Sequence, residues 1–480
     1  MTGNSSLDFI FNPRSIAIVG ASANIEANSA NVANVYLESF LSCGFSGPIY
    51  PINRKGGQIR DLKVYPNVKD VPGPLDYVVC CIQAHHVPQL IRDCAAKGVK
   101  AVQFFTAGFT ESETEKGRKL QEEIVALAQQ GGVRLIGPNC MGVYCPSSGM
   151  SFALDFPSQS GKVGYISQSG GNAHFGIRYA IQRGIRFSKA ISYGNACDVD
   201  ESDLLEYLTI DPETAIIAIY IEGAKNGRRF VRALERAAAA KPVIALKGGR
   251  TDAGARAAAS HTGALAGSAQ VWDGVLRQTG VATADSVEEL ADLLVTFQYL
   301  AVPKGGRLGT LGISGGATVI ATDVYNSAGL VLPHLPQEVQ QKLRNLVENE
   351  AGISFDNPVD ISSSYYSPVT REGFKILVEC DVIDIALFHL PLSIMPIMRT
   401  LDTRGALWVM DSAVKVKKES SKPIGAVVYN IVGTEGWETA FKCQELCHGV
   451  GIPTYFSIDS AAKAISRFVA YHERREGNRQ

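Results

Sequence analysis

The sequence predicts an α/β protein built from doubly wound parallel sheets. Three observations carry this expectation. Short β-branched runs alternate with helix-length amphipathic segments, the run Asp76-Tyr-Val-Val-Cys-Cys-Ile82 is apolar on both faces, and a strand enters a helix through Ser-Gly-Gly twice. Alternation of this kind calls for right-handed βαβ units, and a strand apolar on both faces belongs in a sheet covered by helices on each side.

In chain order, Ser15 to Val19, Pro48 to Ile52, Tyr77 to Ile82, Ala101 to Phe105 and Arg134 to Ile136 read as strands of a first unit that ends near Pro146-Ser-Ser-Gly149. A second unit has strands at Val163 to Ile166, Phe187 to Ile191, Ala215 to Ile219 and Val243 to Leu246, then a helix over Val287 to Tyr299. Turn formers cluster at Val302-Pro-Lys-Gly-Gly306, which predicts a boundary. A third unit follows, with strands at Arg307 to Ile313, Ile383 to Leu390, Pro423 to Tyr429 and Thr454 to Phe456. The second and third units open alike, with Lys162-Val-Gly-Tyr-Ile-Ser-Gln-Ser-Gly-Gly171 and Arg307-Leu-Gly-Thr-Leu-Gly-Ile-Ser-Gly-Gly316, so two related domains are expected. The resulting domains are 1–148, 149–302 and 303–480. From Ala470 onward a polar, fraying helix end is expected.

Composition narrows the partners. A formal net charge of −1 sets up no global field for nucleic acid or an anionic membrane surface, so neither is expected as a partner. No segment approaches the ~18 to 20 apolar residues of a membrane span, and the first residues lack the basic and apolar regions of a secretory signal. Ten scattered cysteines without paired spacing read as reduced thiols, and the expected compartment is the cytoplasm.

Four segments bear on chemistry. Ile18-Val-Gly20-Ala-Ser22-Ala-Asn24 is a strand breaking into a small-residue turn before a helix expected near Ala30, which suits a nucleotide-like ligand or a bland tight turn. The G-x-G-x-x-G fingerprint is incomplete, since Ser22 takes the second glycine position, and this disfavours a dinucleotide. Pro51-Ile-Asn53-Arg-Lys55-Gly-Gly57 puts Arg54 and Lys55 after a strand end, either to neutralise phosphates or merely solvated. In Gly137-Pro-Asn139-Cys-Met-Gly142, Cys140 has no identifiable base nearby and reads as a buried free thiol. Ser167-Gln-Ser169-Gly170-Gly171-Asn172 leads into a helix over Ala173 to Arg183 whose N-terminus would hold an anion, whereas the matching Ser314-Gly-Gly316 reads as a structural turn.

The most informative stretch runs from Lys247 to Ser268. Small residues occupy about twenty positions around a single histidine, in Ser260-His261-Thr-Gly-Ala-Leu-Ala-Gly267, and read as a mobile loop. A lone histidine is ordinarily a solvated or hydrogen-bonded residue; the flanking glycines favour one that meets a phosphate. Glu222 follows a strand of the same sheet, where its carboxylate would accept Nδ1–H from His261 and leave Nε2 to attack phosphorus, or would simply favour a helix N-terminus.

Taken in register, Ile18-Val-Gly-Ala-Ser22, Lys55-Gly-Gly57, Gly137-Pro-Asn-Cys-Met-Gly142, Ser167-Gln-Ser-Gly-Gly171, Glu222-Gly223 and Ser260-His-Thr-Gly-Ala-Leu-Ala-Gly267 resemble the motifs of the nucleoside-diphosphate-forming acyl-CoA synthetases. The chain is similar to the succinyl-CoA synthetase α subunit and, more closely, to α subunits of ADP-forming acetyl-CoA synthetases; Asn357-Pro-Val-Asp360 resembles part of the extra domain of the latter. The resemblance implies a Rossmann-like CoA-binding domain followed by two flavodoxin-like domains. It implies coenzyme A on Gly20, Ala21, Ser22, Asn24, Asn53, Lys55, Ile82 and Asn139. It also implies a reaction: phosphate converts acyl-CoA to an acyl phosphate, His261 takes the phosphoryl group and delivers it to ADP or GDP, Glu222 orients His261, and Ser169, Gly170 and Gly171 stabilise the phosphohistidine. The turn Asn24-Ile-Glu-Ala-Asn-Ser-Ala-Asn31 departs from the Gly-Lys-x-Gly that relatives often carry there. No segment resembles an ATP-grasp domain, so a separate β subunit with ATP, ADP and Mg2+, usually in an α2β2 assembly, is implied. Two other readings stand beside this one: a CoA-sensing regulatory subunit without catalysis, against which the presence of His261 and Glu222 argues, and a Rossmann dehydrogenase.

Overall fold

The computed structural model describes residues 7–22, 31–262, 267–312, 315–348, 353–361, 367–393 and 403–477, with the side chains of 259–262 left aside. The chain forms two compact units, Met1–Val287 and Glu288–Gln480.

The first unit contains two sheets. In the first sheet the parallel strands lie in the order Ile49–Ile52, Ile16–Val19, Tyr77–Cys80, Ala101–Phe104, Arg134–Ile136. Ile16 is registered against Ile49 on one side and Tyr77 on the other. The apolar runs are buried on both faces, with Ile16, Ala17 and Ile18 fully inaccessible, which is why these segments carry no alternation. The helix Val32–Cys43 is capped by Asn31, whose side chain accepts the Asn34 N–H, and it starts two residues beyond the expected Ala30. A small antiparallel hairpin, Gly57–Ile59 with Leu62–Val64, sits beside the second strand.

The second sheet orders its strands Ala282–Ala284, Val243–Lys247, Ile216–Ile221, Val163–Ser167, Phe187–Ser192, Gly142–Tyr144. Its five parallel strands repeat the 2-1-3-4-5 order of the first sheet. Gly142–Tyr144, N-terminal to the expected boundary at 148, joins it as an antiparallel edge, with Tyr144 opposite Ala190. The two sheets are stitched together by backbone: Asn195 N–H donates to Pro138 O, Cys197 N–H to Gly137 O and Val199 N–H to Leu135 O.

In the second unit the strands Leu308–Leu311, Ile385–Pro391, Ile424–Tyr429 and Thr454–Tyr455 form a parallel sheet in chain order. A single parallel bridge, Arg307 to Val331, stands where the other sheets have a full second strand. Its core joins Leu311, Phe374, Leu377, Phe388, Val409, Met410 and Val428. The last helix, Ile458–Gly477, does not fray at Ala470 as its polar sequence suggested. Phe468 and Tyr471 are buried, and the Arg475 guanidinium lies over the Tyr471 ring, so apolar anchoring outweighs the polar composition.

Candidate functional site

In an open α/β sheet the ligand crevice lies outside the C-terminal strand ends, where the winding reverses. In the first sheet this point falls between Ile16–Val19 and Tyr77–Cys80. A pocket of about 360 Å³ opens there, lined by Gly20, Asn53, Arg54, Lys55, Ile82 and His86, with Val68 and Leu90 as apolar wall and Asp93 deeper in. Asp93 is 5% exposed and satisfied by Asn67, Gln89 and Lys69, and these partners hold its carboxyl below the usual range against the opposing effect of burial. Gly20 has φ +109, and a Cβ on it would come within 2.9 Å of Cys81 O, so the turn requires glycine. Asn53 latches two sides of the pocket: its Nδ2 donates to Ala21 O at 2.8 Å and its Oδ1 accepts from Lys55 N at 3.0 Å.

The expected phosphate cradle at Gly20 to Ser22 is largely spent on the fold. Gly20 N–H donates to Ile52 O, and Ser22 N–H donates to Asn34 Oδ1, because Asn34 projects from the first turn of the next helix onto this loop. Asn24 lies outside the described residues. Asn139 stands off the pocket lining at φ +57 and is tied to it through Thr106, whose O accepts Asn139 N–H and whose hydroxyl donates to Ile82 O at 2.7 Å. Cys140 is buried, its thiol pushed up to about 12 by that burial, in keeping with an inert residue.

The corresponding point of the second sheet lies between Val163–Ser167 and Ile216–Ile221, and there Glu222 comes beside the turn of Ser169, Gly170 and Gly171. Ser169 caps the helix Gly170–Gln182 by accepting Asn172 N–H, and Gly170 and Gly171 supply first-turn N–H groups with no acceptor inside the helix. This helix begins three residues ahead of the expected Ala173. Glu222 follows the adjacent strand and is 3% exposed. Its N–H and that of Gly223 donate to Gln168 Oε1 at 2.7 and 3.1 Å, so the Ser-Gln-Ser turn and the Glu222 turn are locked together. Tyr220 Oη donates to Glu222 Oε1 at 3.1 Å. Burial, followed by the Glu222 charge, pushes the Tyr220 phenol well up and keeps it a donor.

The His261 stretch differs from expectation in one respect: Asp252–Thr262 is a helix rather than a loop. Five alanines at 253, 255, 257, 258 and 259 give it high intrinsic helix propensity, which outweighs Gly254. His261 lies in its last turn; its side chain is outside the described residues. At the matching turn of the second unit, Gly315 N–H donates to Asp360 Oδ2 at 3.1 Å.

Sequence reading missed Gln168, Tyr220 and Lys247. Lys247 ends the strand beside the Glu222 strand and donates from Nζ to Glu222 O at 2.8 Å and to Gly248 O. Its place between the strand end and the small-residue run, directly before Gly248, was the available signal; its burial was not visible.

Residues 14–146 match the family model of a CoA binding domain, and residues 160–297 match that of a succinyl-CoA ligase like flavodoxin domain. The chain is 34% identical over 458 residues to the acetate–CoA ligase (ADP-forming) II subunit alpha of Pyrococcus furiosus, covering 95% of this chain and 96% of that one. It is 33% identical over 463 residues to the acetate–CoA ligase (ADP-forming) I of Archaeoglobus fulgidus, covering 96% of this chain and 63% of the longer relative. The solved acetyl-coenzyme A synthetase 1 of Ca. Korarchaeum cryptofilum, in complex with phosphate and ADP, superposes with a TM-score of 0.83 at 32% identity over 99% of this chain and 98% of that one. A CoA-binding domain joined to a ligase-type flavodoxin domain defines the class, an acyl-CoA-forming ligase. The chain belongs to the nucleoside-diphosphate-forming acyl-CoA synthetase family, as an α-type subunit of the ADP-forming acetate–CoA ligase branch. Among the described residues no helix is long and apolar enough to cross a membrane.

Proposed function

We propose that His261 carries the phosphoryl group between an acyl phosphate and a nucleoside diphosphate, that Glu222 orients its imidazole, and that the helix end at Ser169, Gly170 and Gly171 receives the phosphate. The observation that carries this reading is the convergence of Glu222 and the Ser169 cap, through Gln168, at the switch point of the second sheet. A carboxylate there fixes one imidazole tautomer, and helix N–H groups favour the anion without reorganising as it forms. Coenzyme A occupies the first-sheet pocket, with Lys55 and Arg54 near its phosphates and Asn53 holding the pocket's shape. Phosphate and a carboxylic acid or its CoA thioester are the other reactants on this chain.

ADP or ATP with Mg2+ belongs to a separate ATP-grasp β subunit in an α2β2 assembly. This is supported by the P. furiosus relative, itself named a subunit alpha, and by the A. fulgidus relative, of which this chain spans 63%. The domain bounds are taken as 1–148, 149–302 and 303–480; the matched regions 14–146 and 160–297 support the first two, while the compact units divide at Val287 and Glu288 rather than at 302. Ten free cysteines fit a cytoplasmic site of action.

The test is phosphate labelling. Incubated with acyl-CoA, labelled phosphate and the partner subunit, the chain acquires an acid-labile, base-stable label. A His261→Ala protein that labels equally overturns the assignment. Glu222→Gln lowers the labelling rate by about 10²-fold with CoA affinity kept, and an unchanged rate removes Glu222 from the mechanism.

A further inference from the structure

We propose that Lys247 is a positioning residue for phosphoryl transfer: its ammonium pins the turn that carries Glu222 to both ends of the segment that carries His261. The proposal rests on the reading above and concerns how that site is held.

Lys247 is the last residue of its strand, registered opposite Ile221, and its side chain is 6% exposed. Nζ donates to Glu222 O at 2.8 Å and to Gly248 O, and lies 5.0 Å from the centre of the Trp272 ring. Among the described residues no carboxylate oxygen is within ion-pair distance of it. A buried ammonium without an ion-pair partner is costly, and an apolar side chain would fill the same place at lower cost. The cation is therefore explained by what it connects.

The connections are specific. The His261 segment leaves the sheet at Gly248, runs through the helix Asp252–Thr262 and returns into the helix Ala269–Gln278, which carries Trp272 in its first turn. One ammonium thus holds the first residue of the outgoing segment, a ring on the returning helix and the main chain of Glu222. Gly248 itself lies hard against this turn, since a Cβ there would come within 2.5 Å of Tyr220 Oη and 3.4 Å of Glu222 Cγ. Arg250 adds a second tie across the base, to Asp285 at 2.5 Å and Asp273 at 3.2 Å. A histidine that must reach two partners from one anchorage needs such a fixed base, because misplacement by about 1 Å can cost about 10²-fold in rate.

The charged groups bearing on Lys247 are Glu222, which favours the cation, and Arg250 on its own segment, which opposes it; the returning helix presents the uncharged Trp272 ring. Burial outweighs Glu222 and brings the amine down to about 8. Above that pH the neutral amine turns a lone pair toward a carbonyl or the ring face, and the clamp loosens.

The experiment uses the full chain with its partner subunit and follows single-turnover labelling from acetyl-CoA and labelled phosphate between roughly pH 6.5 and 9.5. Wild type, Lys247→Met, Lys247→Arg and His261→Ala are compared, together with KM for acetyl-CoA. The wild-type rate falls as pH rises through about 8. Lys247→Met is slower at neutral pH by about 10- to 100-fold with KM within about threefold, shows no such fall, and has a melting midpoint equal to or above wild type. Lys247→Arg keeps a permanent cation, recovers part of the rate and also lacks the alkaline fall. A Lys247→Met rate within about threefold of wild type overturns the proposal, as does an alkaline fall that survives in Lys247→Met. If His261→Ala labels normally the underlying reading fails; if only His261→Ala is dead, this inference alone fails.

Discussion

Gln168→Leu is a direct probe of how the second-sheet site is held. The side chain is 4% exposed, and its Oε1 is the acceptor for the N–H groups of Glu222 and Gly223. Leucine fills nearly the same volume but offers no acceptor, so two buried N–H groups lose their partner. Each such loss costs about 1–3 kcal/mol, while the added apolar burial returns about 1 kcal/mol, leaving a net destabilisation of about 1–5 kcal/mol. For a unit of this size, at about 2 °C per kcal/mol, that is a fall of roughly 2–10 °C in melting midpoint. The chain has three tryptophans, and Trp272 is the one in the first unit. With Trp408→Phe and Trp437→Phe in the background, its fluorescence reports unfolding of that unit alone. The same variant slows labelling, since the Glu222 turn is freed from the Ser169 turn. A loss below about 0.5 kcal/mol would mean that the two N–H groups find other acceptors and that Gln168 does not hold this turn.

Asn53→Ala unlatches the first-sheet pocket by removing the bonds to Ala21 O and Lys55 N; at about 1 kcal/mol per bond it weakens CoA binding by roughly 5- to 30-fold by calorimetry, with the acid-labile label still forming at saturating acyl-CoA. Cys140→Ala retains kcat within about threefold, and the wild-type thiol resists maleimide in the folded protein, because a buried thiol near 12 holds almost no thiolate at neutral pH. Linkage gives Lys247 a signed effect on stability. The native amine sits near 8 against 10.5 unfolded, so its burial costs about 3 kcal/mol below pH 8, relieved as pH rises from about 8 toward 10.5. Lys247→Met removes this slope, which denaturation at two pH values checks.

By itself the sequence determined the elements whose signal is local. Most strands of the three larger sheets are readable as apolar β-branched runs, though the short edge strands Gly142–Tyr144 and Ala282–Ala284 are not; the helix at Ser169 is readable as a cap after a strand, and Glu222 and the first-sheet turn as polar punctuation at strand ends. Local signals misjudged the Asp252–Thr262 segment, where alanine propensity prevailed over the glycines, and the last helix, where buried Phe468 and Tyr471 prevailed over a polar surface. Only the tertiary structure decided that Gln168 and Glu222, 54 residues apart, share hydrogen bonds, that Lys247 closes on Glu222 and Trp272, and that Gly142–Tyr144 joins the second sheet. The physical reason is that strand order is set by pairing across the sheet, which periodicity along the chain does not encode. A lysine or glutamine acquires a role only when burial removes water and leaves particular carbonyl or N–H groups as its sole partners.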